Sequence, residues 1–313
     1  MSMTSPVFGE CQLNVVKPKE PAVGRIVGST PCLKGRSASY VRHIAIDVSG
    51  TPLAGNFRAG QSFGIIPPGL NEKGKPHAVR LYSISAPSWG EDGEGNVVST
   101  TCKRLIDEYW EEGSDDHHLF VGLCSNYLCD LKVGDEVLIS GPAGKRFLLP
   151  LDPSQHDFVF VSTGTGIAPY RGMIKELLEN PEGSCQSEIH LVVGVPYGTD
   201  LMYDAYFTSL AEQHERFHYH TVISRPELGR RMYVDQYIAE TEDPFHRVLA
   251  SERTLLYICG IEGMQVGIYR LLETLGVANE YLQLPDDSFS LADADKATIK
   301  RVKPTERCMV EVY

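Results

Sequence analysis

From residue 158 to residue 276, apolar runs and amphipathic stretches take turns. "FVFVST" (158–163) precedes "PYRGMIKELLE" (169–179), and "EIHLVVGVP" (188–196) precedes "TDLMYDAYFTSLAEQH" (199–214). "FHYHTVIS" (217–224) precedes "YVDQYIAE" (233–240), and "TLLYICG" (254–260) precedes "EGMQVGIYRLLETLG" (262–276). A strand that returns parallel to its predecessor needs a crossover, and a helix is the usual one. The repeated strand–helix unit therefore predicts a parallel, doubly wound α/β sheet. Ligands of such sheets lie at the carboxyl ends of the strands, so the residues just after each run are the first candidates for a site.

Upstream the texture is different. "YVRHIAIDV" (40–48), "AGQSFGIIPPG" (59–69), "AVRLYSIS" (78–85), "NVVSTTCKRLI" (96–106) and "DEVLISGPAG" (135–144) are short strands separated by turn residues. Strands at this spacing, with no long amphipathic helix among them, predict an antiparallel β-barrel. "LLPLDPSQHD" (148–157) is proline-punctuated and polar, and reads as a linker. The expected organisation is a flexible leader over residues 1–15, a barrel domain over 16–150 and an α/β domain over 155–313.

Charge and cysteine usage exclude several classes. The net charge of −12 argues against broad nucleic-acid binding, which depends on basic surface. No apolar run reaches the ~20 residues that cross a bilayer, and "MSMTSPVFGE" has no secretory pattern. Of the eight cysteines only Cys124 and Cys129 are close in sequence. Zinc and iron–sulfur sites need such pairs in sets. The cysteines read as free thiols in a reducing, cytoplasmic setting, with no metal expected; a plastid or membrane-associated location stays open.

Five segments carry candidate chemistry. "STGTGIAP" follows a strand and opens a helix, so Gly164, Thr165 and Gly166 can bring backbone N–H groups to a pyrophosphate. Pro169 suits the first position of that helix, where its missing N–H costs nothing. A glycine turn of this kind serves equally as a plain tight connection. In "RLYSIS", strand alternation puts Arg80 and Tyr82 on one side and Ser83 on the other, offering a phosphate partner, a flat ring and a hydroxyl. "GLCSNYLCDLKVGD" places Ser125 and Asn126 in an N-cap-like stretch before a short helical piece, a phosphate-compatible turn. "SRPELGRRMY" gathers Ser224, Arg225, Arg231 and Tyr233 after the third strand of the α/β half, which suits a phosphate monoester beside an adenine. No acid is read in the role of meeting a free ribose 2′-hydroxyl. "MVEVY" alternates like a strand and finishes on Tyr313.

Taken in order, "RLYS", "CSNYLCDLKVGD", "GTGIAP", "SRP…RRMY", "YICG" and "VEVY" resemble the plant-type ferredoxin–NADP⁺ reductases, from about Lys17 to Tyr313, with a bacterial branch as the nearer likeness. The resemblance implies an FAD-binding barrel joined to an NADP-binding α/β domain. It further implies electron transfer between NADP(H) and ferredoxin or flavodoxin by hydride exchange at flavin N5. It assigns Arg80, Tyr82 and Ser83 to the flavin, Lys103 to the flavin–nicotinamide region, and Cys124 and Ser125 to the FAD pyrophosphate. It assigns Gly164, Thr165, Gly166, Pro196 and Gly260 to NADP, and Ser224, Arg225, Arg231 and Tyr233 to its 2′-phosphate end. Cys259 and Glu311 stand beside the nicotinamide; Tyr313 covers the flavin and must shift before transfer. Ser83, Cys259, Glu311 and Tyr313 form the expected catalytic set.

Three departures from the plant pattern stand out. Asp107 occupies the place of a tyrosine that stacks on the FAD adenine, leaving Tyr109 or Trp110 as substitutes. Pro196-Tyr197 replaces small polar residues, and the acidic runs near the C-terminus imply a different partner surface. Two rival readings share much of this pattern. One is a reductase component feeding an oxygenase or another electron-transfer chain; the other is a flavin-binding sensor or scaffold with little turnover. The joint presence of Ser83, Cys259, Glu311 and Tyr313 argues against the scaffold.

Overall fold

The computed structural model describes residues 5–110, 113, 117–181, 183–226, 229–286 and 288–313, with the backbone alone at 110 and 242. The chain divides into two compact units. One comprises Glu10–Lys145 with Arg171–Met173, the other Met1–Gly9, Arg146–Tyr170 and Ile174–Tyr313.

The first unit is antiparallel. Its strands are β1 (Ala22–Pro31), β2 (Val41–Asp47), β3 (Ser62–Ile66), β4 (Arg80–Ser83), β5 (Val97–Lys103), β6 (Ile106–Trp110), β7 (His117–Val121) and β8 (Glu136–Ala143). Six of them form one sheet in the order β4-β3-β8-β1-β2-β5. The two edges of that sheet meet: Ile84 bridges to Thr100, and the Ser85 N–H donates to the Ser99 carbonyl at 2.8 Å. These contacts join the two edges of the sheet just past β4, curling it into a barrel. Its core holds Ile26, Ile44, Ile46, Phe63, Ile65, Ile84, Val98, Val137 and Ile139. These apolar positions alternate along their strands, which sends them inward together. Strands β6 and β7 stand apart as a hairpin, and one short helix, α1 (Leu123–Asp130), follows it.

Part of the stretch expected as a flexible leader is bonded in place. The Asn14 N–H donates to the Pro142 carbonyl at 2.8 Å, and the Gln12 carbonyl accepts from the buried Gln61 amide at 3.0 Å.

The second unit alternates β9 (Asp157–Thr163), α2 (Ile167–Leu178), β10 (Ile189–Val195), α3 (Asp204–Gln213), β11 (Phe217–Ile223), α4 (Val234–Glu240), α5 (Glu242–Ala250), β12 (Thr254–Gly260) and α6 (Glu262–Thr274). It ends with α7 (Ala278–Tyr281), β13 (Leu282–Gln283), β14 (Lys303–Pro304) and β15 (Cys308–Val312). The main sheet runs β11-β10-β9-β12-β15, every pair parallel. Both β10 and β12 are buried along their whole length, as strands covered on two faces are. That explains why they read as unbroken apolar runs.

Three sequence expectations shift. Helix α2 starts at Ile167, so Pro169 is its third residue rather than its first. The third N–H of a helix also lacks an intrahelical partner, so proline costs no bond there either. Helix α3 starts only at Asp204, behind a 3₁₀ turn at Gly198–Asp200 and a left-handed Tyr203 (φ 56°). Helix α5 was not expected; Asp243 near its head is non-helical (φ −104°, ψ 128°), so its regular part begins at Pro244.

Candidate functional site

Because the main sheet of the second unit is parallel, its strand ends deliver their following residues to one edge. Gly164, Thr165 and Gly166 form a 3₁₀ turn directly after β9, and Gly166 caps α2. Gly164 has φ +54°, and a Cβ built there would meet nothing within 4 Å. The space in front of that residue is therefore open to a ligand. Gly166 is different: a Cβ there would stand 2.0 Å from the Cys259 carbonyl oxygen. One glycine leaves room for a phosphate, and the other lets the turn lie against the end of β12.

Thr163, which sequence reasoning passed over, fixes that contact from the other side. Its hydroxyl accepts the Ile261 N–H at 3.1 Å, and a Cβ on Gly260 (φ +146°) would stand 2.2 Å from it. A threonine ending a strand just before a glycine turn is the signal that would have found it.

Around this turn lie the other candidates from the same unit. The last strand sets Glu311 opposite Cys259 in register with β12. The Tyr313 N–H donates to the Gly260 carbonyl at 2.9 Å, and its hydroxyl is 2.7 Å from Thr165 Oγ1. Tyr313 stays 64% exposed, a large accessible ring fixed at its tip to the phosphate-type turn. Burial pushes the Cys259 thiol far above its usual range, so it is a neutral thiol. Burial also raises the Glu311 carboxyl to about 7.

The Glu311 shift has a measurable consequence. Between 4.5 and about 7 the folded chain keeps a proton that the unfolded chain has released, so stability falls as pH rises through that window. The Glu311→Gln variant lacks this loss. Urea unfolding of the cofactor-free protein is expected to show the variant gaining about 1–3 kcal/mol on wild type between about pH 5 and pH 8. Parallel stability profiles for the two proteins would place the Glu311 carboxyl in water.

At the end of β11, the backbone N–H groups of Ser224 and Arg225 donate to the carbonyls of Val195 and Pro196, at 2.9 and 2.8 Å. This draws Pro196, Ser224 and Arg225 together. Arg231 returns to the same place: its Nε donates to the Ser224 carbonyl at 3.1 Å, and its guanidinium lies 5.8 Å from the Tyr233 ring centre. Arg225, Arg231 and Tyr233 are exposed. The Arg231 guanidinium, the exposed Arg225, the Ser224 hydroxyl and the Tyr233 ring at one strand end are groups that suit a phosphate monoester next to a flat base. Residues 227 and 228 of this loop lie outside the described residues.

The barrel unit brings together a second group. Tyr82 is half-buried beside the core, its hydroxyl next to the thiols of Cys102 and Cys124. Burial, with those neighbours adding to it, drives the Tyr82 hydroxyl far above its usual range. Cys124 is also raised by burial, while a hydrogen bond with Tyr82 and the charge of Arg80 pull it back. Arg80, Tyr82 and Cys124 are therefore neighbours. Ser83, half-buried, gives its carbonyl to Thr100 Oγ1 at 2.8 Å. Lys103 is exposed at the end of β5.

Ser125 has a structural duty: its hydroxyl accepts the Leu105 N–H at 3.1 Å and donates to the Gly122 carbonyl at 3.3 Å. Only the backbone at the start of α1 is left to address an anion, since no side chain caps it. Asp107 is exposed on the β6–β7 hairpin, as is Tyr109, whose ring lies 5.5 Å from that of His118. The Trp110 side chain lies outside the described residues. All eight cysteines are free. No described helix is long and apolar enough to cross a membrane.

Comparison with known proteins converges on one group. An oxidoreductase NAD-binding domain family matches residues 160–269. The chloroplast leaf ferredoxin–NADP reductase isozyme 1 of Arabidopsis thaliana is 33% identical over 309 residues, covering 96% of this chain and 79% of that protein. The cyanelle ferredoxin–NADP reductase of Cyanophora paradoxa is 33% identical over 311 residues, covering 97% and 80%. Among solved structures, ferredoxin–NADP⁺ reductase from Plasmodium falciparum superposes with a TM-score of 0.68 at 26% identity, covering 96% of this chain and 99% of that one.

Proposed function

Since the chain belongs to the plant-type ferredoxin–NADP⁺ reductase family, we propose that it is an FAD-dependent oxidoreductase moving electrons between NADP(H) and a separate one-electron carrier, a ferredoxin or flavodoxin. The observation that carries this reading is the single edge of the parallel sheet. Glycine turn, arginine pair and the Cys259–Glu311–Tyr313 group converge there. Bound FAD would exchange electrons in pairs with NADP(H) and singly with the carrier.

The barrel unit would hold the flavin, with Arg80 and the start of α1 at Cys124 and Ser125 for its phosphates, Tyr82 for the ring system, and Ser83 and Lys103 for the ring's reactive side. The α/β unit holds NADP(H). The open space before Gly164 admits the pyrophosphate beside Thr165, and Gly260 and Pro196 shape the walls. Ser224, Arg225, Arg231 and Tyr233 take the 2′-phosphate and adenine. Cys259, a small neutral thiol, and Glu311 border the nicotinamide without adding a fixed negative charge below pH 7. Tyr313 would be the residue that covers the flavin, and its moving aside for the nicotinamide would give up the Thr165 hydrogen bond. The net charge of −12 speaks for a protein or small-molecule partner rather than nucleic acid.

The purified protein is expected to be yellow with a flavin spectrum, to reduce ferricyanide with NADPH, and to reduce ferredoxin or flavodoxin. A colourless protein, or one without NADPH-dependent ferricyanide turnover, overturns the reading. Ferricyanide turnover without reduction of either carrier points instead to a reductase component with another acceptor.

A further inference from the structure

Strands β10 and β11 carry a second polar cluster, at their amino ends. His190 and His218 face each other in register, and Glu188 immediately precedes β10. One ligand atom from each of Glu188, His190 and His218 lies within 4.8 Å of the other two. The Glu188 Oε1 atom is 2.6 Å from His218 Nε2 and 3.6 Å from His190 Nε2. The two imidazoles stack with ring centres 4.6 Å apart.

We propose that Glu188, His190 and His218 form a binding site for a divalent transition metal of the zinc class. Two imidazole nitrogens and one carboxylate oxygen are a borderline-soft donor set that suits zinc, not calcium or magnesium. In a tetrahedral zinc site with bonds of about 2.0–2.1 Å, ligand atoms stand about 3.3 Å apart. The Glu188–His190 separation is close to that already, and the Glu188–His218 pair needs to open by less than about 1 Å.

An independent observation points the same way. His190 is fully buried, and its Nε2 has no hydrogen-bond partner among the described residues. Its other nitrogen does: Nδ1 is 3.2 Å from His220 Nε2, and His220 Nδ1 is 3.0 Å from the Tyr237 hydroxyl. When these bonds run outward, His190 Nδ1–H donates to His220 and His220 Nδ1–H donates to Tyr237. That tautomer leaves the His190 Nε2 lone pair bare, on the side of the Glu188 carboxylate. A ligand histidine whose second nitrogen donates to a fixed partner is the usual outer-shell arrangement of a metal site. Phe245, fully buried, packs on both His190 and His220 and holds the relay in place. Glu188 and His218 keep 28% and 36% of their side chains exposed, so an ion can enter and water can complete its coordination.

The site is remote from the NADP residues. Pro196 follows the far end of β10, six residues beyond His190, or about 20 Å at the rise of a strand. A metal here fastens edge strand β11 to its neighbour and touches no reacting atom.

The test is calorimetric titration of the FAD-loaded full chain with zinc sulfate. Wild type is expected to bind one equivalent, with Glu188→Gln and His218→Asn each weakening it at least about tenfold. Both positions are partly exposed, so these variants should fold; His190→Ala is avoided because it opens a cavity. His117→Asn serves as control, since His117 pairs with Glu108 on the exposed hairpin and offers zinc a different place. The proposal fails if wild type binds no zinc, if Glu188→Gln and His218→Asn bind as wild type does, or if His117→Asn is the variant that loses the ion.

Discussion

Replacing Arg225 and Arg231 with alanine together is expected to raise the Michaelis constant for NADPH by two orders of magnitude or more, and that for NADH by less than about threefold. The two cofactors differ only in the 2′-phosphate, so any effect on the shared part of the molecule cancels in the comparison. A charge-assisted hydrogen bond contributes about 1.5–3 kcal/mol, which is roughly tenfold to a hundredfold per arginine. The two guanidinium groups reach the patch by different routes. Arg225 follows β11 with its backbone bonded to Pro196, while Arg231 returns from a loop and is fixed through Nε to the Ser224 carbonyl. Arg231→Lys should therefore lose more than a like-charged replacement suggests, because a lysine has no Nε–H to keep that carbonyl contact while facing a phosphate. Steady-state kinetics with both cofactors decides the matter. Equal losses for NADPH and NADH would move the 2′-phosphate pocket elsewhere.

The second large effect separates two glycines that look alike in "GTG". Gly166→Ala is expected to destabilise the fold by about 3 kcal/mol or more and to remove NADPH binding with it. Its new methyl would stand 2.0 Å from the Cys259 carbonyl oxygen and 2.9 Å from the Gly260 nitrogen. Both are backbone atoms at the end of a buried strand, which cannot turn aside as a side chain does. Ordinary overpacking costs about 1–3 kcal/mol, and a backbone clash belongs at or above the top of that range. Gly164→Ala meets no atom within 4 Å and carries only the cost of a left-handed residue, about 1–2 kcal/mol. It should nonetheless weaken NADPH at least tenfold, because its methyl projects into the space proposed for the pyrophosphate. Thermal unfolding paired with NADPH titration reads both. If Gly164→Ala binds NADPH normally, the pyrophosphate does not pass over that residue.

These glycines mark where the sequence was legible and where it was not. A strand, two glycines and a helix announce an anion-compatible turn, since glycine is the residue for close backbone approach. Which glycine faces a ligand and which faces β12 depends on the partner strand, ninety-odd residues later, and no local pattern carries that. The helix start moved from Pro169 to Ile167 for a related reason: proline is acceptable anywhere in the first turn, so it marks a neighbourhood rather than a residue. The strands β9, β10, β11 and β12 could be read to within a residue because apolar runs of that length, repeated between helices, have few other uses. Ser125 was legible as a helix-start residue, but its hydroxyl turned out to be engaged with Leu105 and Gly122. The histidine cluster was invisible to a search for close cysteine pairs. His190 and His218 are far apart in sequence and meet only because β10 and β11 align in register.

That register has a further meaning. It runs unbroken from Ile189 opposite Phe217 to Val195 opposite Ile223, so the edge strand that starts beside His218 ends at Ser224 and Arg225. The two ends of the pair are thus joined by one ladder of backbone pairing without a break. Coupling between two ligands is reciprocal in free energy. If zinc changes the affinity for NADPH by some factor, NADPH changes the affinity for zinc by the same factor, and measuring either gives both.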